Sequence, residues 1–110
     1  MKAAPREEPS FDDFLHSPIR LRVCGLLSRV DSMEFQVVRD TLQITDAHLS
    51  KTVRSLVEAG YLTQTRRSSE QRNDRRLLTW LSLTEEGARS FVAHFDALQI
   101  IASGAAPAPE

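Results

Sequence analysis

The apolar positions of the chain change period several times, and each change marks a new element. Ile19, Val23, Leu26, Leu27 and Val30 recur at the three- and four-residue spacing of one helical face, with Arg20, Arg22 and Arg29 off it. Ser17-Pro18 opens that helix, a hydroxyl at the cap followed by a proline where no amide partner is needed. Just before it, Ser10 offers a cap for a short segment, 11–16, in which Phe11, Phe14 and Leu15 share a helical face. Asp31-Ser32 breaks the pattern; 33–35 reads as a brief strand, and Val37, Val38 and Leu42 suggest a short second helix. Thr45 or Asp46 caps a third helix that runs to Ala59 and stops at Gly60.

In that third helix Leu49, Val53 and Leu56 occupy one face. Ala47, Lys51, Arg54, Ser55 and Glu58 lie largely opposite, and His48 and Ser50 flank the apolar row. Only the tight link 43–45 separates it from the second helix, so the two form a helix-turn-helix pattern. Residues 61–66 read as a strand, the charged stretch 67–75 as a turn too polar to bury, and 77–83 as the returning strand. Two strands around a charged loop make a wing. Thr84 then caps a last helix, with Glu85 and Glu86 at its positive end. Phe91, Phe95, Leu98 and Ala102 form its main apolar stripe, and Ala93, Ala97 and Ile100 a weaker second face. The pattern predicts a mainly α fold with a small β-hairpin, an α+β winged helix-turn-helix whose N- and C-terminal helices serve dimerisation. The domain is expected over 10–102, between disordered tails at 1–9 and 103–110. Within it the recognition helix is placed at about 46–59, the wing at about 61–83 and the terminal helix at about 85–102.

Length and composition fit this picture. A chain of 110 residues, 41% hydrophobic and 26% charged, suits one soluble domain. It has no apolar run of the ~20 residues a membrane span needs, and its first residues lack the apolar stretch of a secretory signal, so the cytoplasm is expected. The net charge of −1 is not that of a generic nucleic-acid binder, but its distribution is uneven. Between Thr45 and Arg76 seven basic residues face four acidic ones, a balance of +3; from Thr84 onward four acidic residues face Arg89 alone, a balance of −3. A local basic face on a near-neutral protein suits specific DNA recognition.

Three groups of residues carry a resemblance. HSPIRLRVCGLL resembles the opening helix of winged-helix regulators of the MarR/ArsR-like superfamily. LQITDAHLSKTVRSLVEAGYL is similar to their helix-turn-helix, and TWLSLTEEG to the return strand of the wing and the Leu-Thr-x-x-Gly start of the last helix. The resemblance covers roughly residues 14–102, and its best match is the small single-domain winged-helix DNA-binding family similar to MarR regulators. It implies that the third helix enters the major groove, with Ala47, His48, Lys51 and Arg54 facing the bases and Thr45 and Ser50 near phosphates. It also places Arg72, Arg75 and Arg76 at the wing tip. The MarR pattern sets an Asp-x-Arg pair at a fixed distance before Leu-Thr; Asp74 stands one residue too far away, which leaves open which wing arginine reaches DNA. The cysteines with which the ArsR branch binds metal on this helix are missing, and no other metal-ligand cluster is visible, so no metal and no cofactor are expected.

Each candidate has a plainer reading. Lys51 and Arg54 are solvated charges unless the helix carrying them is a recognition helix, and His48 is a groove contact or a partial cap. Arg66, Arg67, Arg72, Arg75 and Arg76 either solubilise a loop or bind phosphates; five arginines in one hairpin favour phosphates for at least two. Cys24 reads as a buried small hydrophobe, with a redox thiol as the alternative. His16 and His94 read as structural or solvated, and Trp80 as hairpin or core packing. Phe11, Phe14, Leu15, Ala93, Ala97, Ile100 and Ile101 are expected at a dimer interface, small residues letting two helices approach. No glycine-rich phosphate loop, activated nucleophile or paired carboxylate points to an enzyme. The expected partners are double-stranded DNA carrying an inverted-repeat operator and a second copy of the chain, with no membrane; a small chain offers limited room for a pocket, and a small-molecule effector is left open. The competing reading is a winged-helix module that binds protein without direct DNA binding.

Overall fold

The computed structural model describes residues 8–68 and 77–104. Among them the element order is α1 (Pro18–Leu27), β1 (Met33–Glu34), α2 (Phe35–Leu42), α3 (Asp46–Glu58), β2 (Leu62–Arg67), β3 (Leu78–Leu83) and α4 (Glu85–Ala102). The strands form one antiparallel sheet in the order β1-β3-β2, with Met33 opposite Leu81 and Leu62 opposite Leu83. The short strand at 33–34 thus extends the wing hairpin into a three-stranded sheet. This is a winged-helix α+β fold.

The core gathers one row from each element. Val23, Cys24 and Leu27 of α1, Val38 and Leu42 of α2, Leu49, Val53 and Leu56 of α3, and Leu62, Leu81 and Leu83 of the sheet are all buried in a single cluster. Burying a Leu or Val side chain this way is worth roughly 1.5–3 kcal/mol, so the cluster fixes the three N-terminal helices against the sheet. Cys24 is part of it: burial first, and the Asp12 carboxylate second, push its thiol up to about 12, which leaves it packing rather than reacting. Between α2 and α3 the chain turns at Gln43, whose left-handed φ of 56° lets the Gln43 and Ile44 amides close the end of α2 on Asp40 and Arg39.

Three sequence-based expectations are corrected. Segment 11–16 is a turn rather than a helix, and its organiser is Asp12 instead of Ser10. The Asp12 Oδ1 accepts from the Phe14 and Leu15 amides at 2.9 and 3.1 Å, offering the backbone a local turn in place of a helix. Leu15, expected between subunits, is wholly buried in the chain's own core. On α4 Ala93 and Ala97, expected to pair with a partner, are buried at 6% and 5% exposure; of the main apolar stripe Phe91 packs against the core, whereas Phe95 is 47% exposed. Small residues inside let α4 lie close beneath the N-terminal segment, where the Ser10 amide reaches the Ala93 carbonyl at 3.0 Å. The aromatic ring is displaced outward.

Candidate nucleic-acid interface

Helix α3 is set by its cap. The Thr45 side chain accepts from the His48 amide at 3.0 Å, and Asp46 stands in the first turn, where an acid suits the positive helix end. Leu49, Thr52, Val53 and Leu56 are the buried row, so Ala47, His48, Ser50, Lys51 and Arg54 are all exposed on the outer side of the helix. Thr52 and Ser55 turn their hydroxyls back onto the carbonyls of His48 and Thr52, at 2.9 and 2.7 Å. The outward donors are therefore His48, Ser50, Lys51 and Arg54.

Sequence reasoning missed Arg39. Its guanidinium on α2 bonds Asp46 at 2.7 Å and Asp40 at 2.9 Å, which ties α2 to the head of α3 and neutralises the acid in the first turn of that helix. Nothing in the spacing of Arg39 marks it, because its partner is set by the α2–α3 angle rather than by a helical period. Lys51 and Arg54, by contrast, form no ion pair with any described residue. Two unpaired cations, a hydroxyl and an imidazole on one helical face are a surface suited to a polyanion.

At the base of the wing the two described arginines are already engaged. Arg67 lies over the Trp80 ring at 4.5 Å and donates to the Ser32 hydroxyl at 2.9 Å, while the Trp80 indole N–H returns a bond to the Arg67 carbonyl at 3.3 Å. Arg66 donates across the hairpin to the Leu77 carbonyl at 3.4 Å. Trp80 is thus hairpin packing, and Arg67 fastens the hairpin to the loop before β1. Arg72, Arg75 and Arg76 lie outside the described residues.

The cleft at the N-terminal segment is acidic instead. A cleft of ≈ 410 Å³ between the N-terminal segment and α4 is lined by Glu8, Asp12, Asp13 and Glu86, with Arg89 held by Glu85 at 2.7 Å. Beneath it His94 is fully buried; its Nδ1 accepts from the Asp12 amide at 2.9 Å, and Asp12 also accepts from the Tyr61 hydroxyl at 2.7 Å. Of the expected dimer residues, Phe11 and Ile101 are 42% and 44% exposed, Ile100 is half-buried, and Phe14 is half-buried between Tyr61 and Arg20. Among the described residues no group of three His, Cys, Asp or Glu side chains is placed to hold a metal ion, and no helix is long and apolar enough to cross a membrane.

A helix-turn-helix followed by a hairpin that joins a preceding strand in a three-stranded sheet, with a cationic row on the second helix that forms no ion pair among the described residues, defines the class of winged-helix nucleic-acid-binding proteins. The chain belongs to the winged helix DNA-binding domain family, whose model matches residues 19–102. That is a family of DNA-binding modules rather than of enzymes, and it bears out the resemblance read from the sequence. No curated protein matches the chain in sequence. Among solved structures, the transcriptional regulator homologue from Pyrococcus horikoshii OT3 is 20% identical; 82% of this chain covers 85% of that one at a TM-score of 0.74. The YusO protein from Bacillus subtilis is 20% identical over 80% of this chain and 59% of its own, with a TM-score of 0.66. NadR, solved in complex with 4-hydroxyphenylacetate, is 22% identical over 80% of this chain and 59% of its own, with a TM-score of 0.62. This chain therefore spans about three-fifths of the length of the last two. At such identities the likeness is one of fold.

Proposed function

We propose that the chain is a sequence-specific, double-stranded DNA-binding transcriptional regulator that acts as a homodimer. The observation that carries this reading is the outer side of α3, where Lys51 and Arg54 stand exposed without ion pairs among the described residues while Arg39 takes up Asp46. A helix of this kind fits the major groove, so Ala47, His48, Ser50, Lys51 and Arg54 meet bases and nearby phosphates, and Thr45 sits at the phosphate edge. Arg66, Arg67, Arg72, Arg75 and Arg76 belong to a wing on the flanking backbone or minor groove, with Arg67 also bracing the hairpin. Pairing runs through the outer side of α4 and the N-terminal segment, where Phe11, Phe95 and Ile101 are exposed apolar groups with Ile100 beside them. Two-fold symmetry then spaces the recognition helices about 34 Å apart, which calls for an inverted-repeat operator.

The test is selection of bound duplexes from a random pool, followed by titration of variants against the recovered sequence. Lys51→Ala and Arg54→Ala should each bind about tenfold more weakly, with unchanged melting temperature and a salt slope shallower by about one unit. Neutralising Arg72, Arg75 and Arg76 together should weaken binding to all sequences alike, since backbone contacts carry little base information. Failure to recover any duplex, or unchanged affinity in both α3 variants, overturns the reading.

A further inference from the structure

We propose that a cleft beside the recognition helix seats one backbone phosphodiester of the DNA, and that α1 supplies half of its donors. The inference rests on the DNA-binding reading above and adds donors on α1, outside the helix-turn-helix and wing. The cleft, ≈ 260 Å³, opens between the start of α1 and the near flank of α3, and it is lined by Ser17 and Arg20 from the one and His48 and Lys51 from the other. Among the described residues, no carboxylate lines it. The cleft on the far flank of α3 contains Glu58, and the cleft under the N-terminal segment contains four acids. Of the three clefts that border α3 or the N-terminal segment in this way, the one beside α1 carries only positive charge, and the further cleft at Arg22 brings no residue of α3 to it.

Its donors are placed and available. One Arg20 nitrogen donates to the Phe14 carbonyl at 3.1 Å, and the guanidinium carbon lies 4.2 Å from the centre of the Phe14 ring. Both contacts hold the group still, and neither neutralises it, because a carbonyl and a ring face carry no net charge. A guanidinium has five N–H donors, so the remaining ones stay free for a phosphate fork. The Ser17 hydroxyl makes no cap bond to its own helix, although Ser17 occupies the cap position. Lys51 has no ion-pair partner among the described residues. Thr52 and Ser55, which also border the cleft, spend their hydroxyls on helix carbonyls and do not compete for the anion. A phosphate held jointly by α1 and α3 would fix the angle at which the recognition helix enters the groove, because the two helices would grip the same strand.

The experiment compares Ser17→Asp and Arg20→Ala with the wild type and with Lys51→Ala, on the duplex recovered by the wild-type chain. Aspartate is among the best cap residues and favours a helix start, so Ser17→Asp keeps or raises the melting temperature while putting a carboxylate into the cleft. The expected result is binding at least about tenfold weaker for Ser17→Asp despite that stability. Arg20→Ala should lose about tenfold with an unchanged preferred sequence, and its salt slope should be shallower by about one unit. Replacing single phosphates of the duplex by neutral methylphosphonates should reveal one position per half-site that weakens the wild type but not Arg20→Ala. If Arg20→Ala melts early through loss of its Phe14 contacts, Ser17→Asp and the wild-type methylphosphonate scan decide alone. Wild-type affinity in Ser17→Asp, with Lys51→Ala weakened, would leave DNA binding standing and overturn the cleft. Wild-type affinity in all three variants would overturn the DNA-binding reading itself.

Discussion

Helices α3 and α4 begin in the same way and end as opposites. Each opens on an extended threonine whose hydroxyl accepts from the amide three residues on, Thr45 from His48 at 3.0 Å and Thr84 from Gly87 at 2.9 Å. Helix α3 then buries Leu49, Val53 and Leu56 and shows solvent a polar, cationic side. Helix α4 buries Gly87, Ala88, Ala93, His94 and Ala97 and turns Phe95 outward. The shared cap decides only where a helix starts. What the helix does follows from its outer face: α3 is dressed for a polyanion, α4 for an apolar neighbour. The difference also reverses an ordinary expectation, since α4 keeps its small residues inside so that backbone can approach backbone.

That close approach gives the largest expected effect. The Tyr61 carbonyl accepts from the Thr84 amide at 3.1 Å, and the Thr84 hydroxyl donates to the Gly60 carbonyl at 2.7 Å, so the end of α3 is tied directly to the start of α4. A Cβ at Gly87 would overlap the Tyr61 carbonyl oxygen, which is backbone and has nowhere to go. Gly87→Ala should therefore cost about 3 kcal/mol or more, lowering the melting temperature by at least about 12 °C. Gly25→Ala is the contrast: its Cβ would meet Phe91 at an ordinary 3.5 Å, and the change should be neutral or stabilise by up to about 1 kcal/mol. Equal melting temperatures for the two variants would break the account of how α4 is seated.

The outer side of α4 gives the next effect. If the chain pairs as proposed, Phe95→Glu should leave a folded monomer, because a charge there opposes pairing without entering the core. Ala97→Glu separates the two faces. Read from the sequence, position 97 belonged to the pairing surface; at 5% exposure a carboxylate there would be buried in the chain's own fold and should unfold it. Sedimentation and thermal melting together distinguish the cases. A folded monomer from Ala97→Glu, or an intact dimer from Phe95→Glu, would restore the original assignment.

The limits of what could be read in the sequence follow from the same contrast. Helix α3 was legible because its buried and exposed residues differ in polarity, and period alone sorts them. The sheet strands and the Thr84 cap were legible for similar reasons of local chemistry, and Thr45 was one of two candidates for the cap of α3. Helix α4 was misread because both of its faces are apolar, so the decision fell to size and to which segment lies against it. That segment is the N-terminal stretch around Asp12, whose partners Tyr61 and His94 are 49 and 82 residues away. Arg39 and Arg20 were passed over for the same reason, since each acts on a group brought near by the fold. The exposed row of α3 could be named from spacing; the side chains that the fold brings beside it could not.

The smallest effect tests how α4 holds the N-terminal segment. His94 is fully buried, accepts the Asp12 amide on Nδ1, and has no described partner for Nε2. Protonation would put a second donor opposite that amide. Burial, and then the neighbouring His16, push the His94 pKa below its ordinary value of 6.5, against the opposing pull of Asp12 and Asp13. Phe11 packs on the same ring at 4.9 Å and carries no charge, and Tyr61 reaches it only through Asp12. With the folded value depressed, the unfolded chain binds the proton more readily, so stability is whole above pH 6.5 and falls as the pH drops toward the folded value. His94→Gln removes the titration while its amide oxygen can still accept from Asp12. In melts taken across mildly acidic pH, the wild type should lose melting temperature below 6.5 while His94→Gln declines less. Asp12→Ala should remain acid-sensitive, because it deletes the carboxylate yet keeps the amide that His94 accepts. Parallel curves for the wild type and His94→Gln would show that the histidine is only filling space, and that α4 holds the segment through Leu15 and the Ser10–Ala93 bond instead.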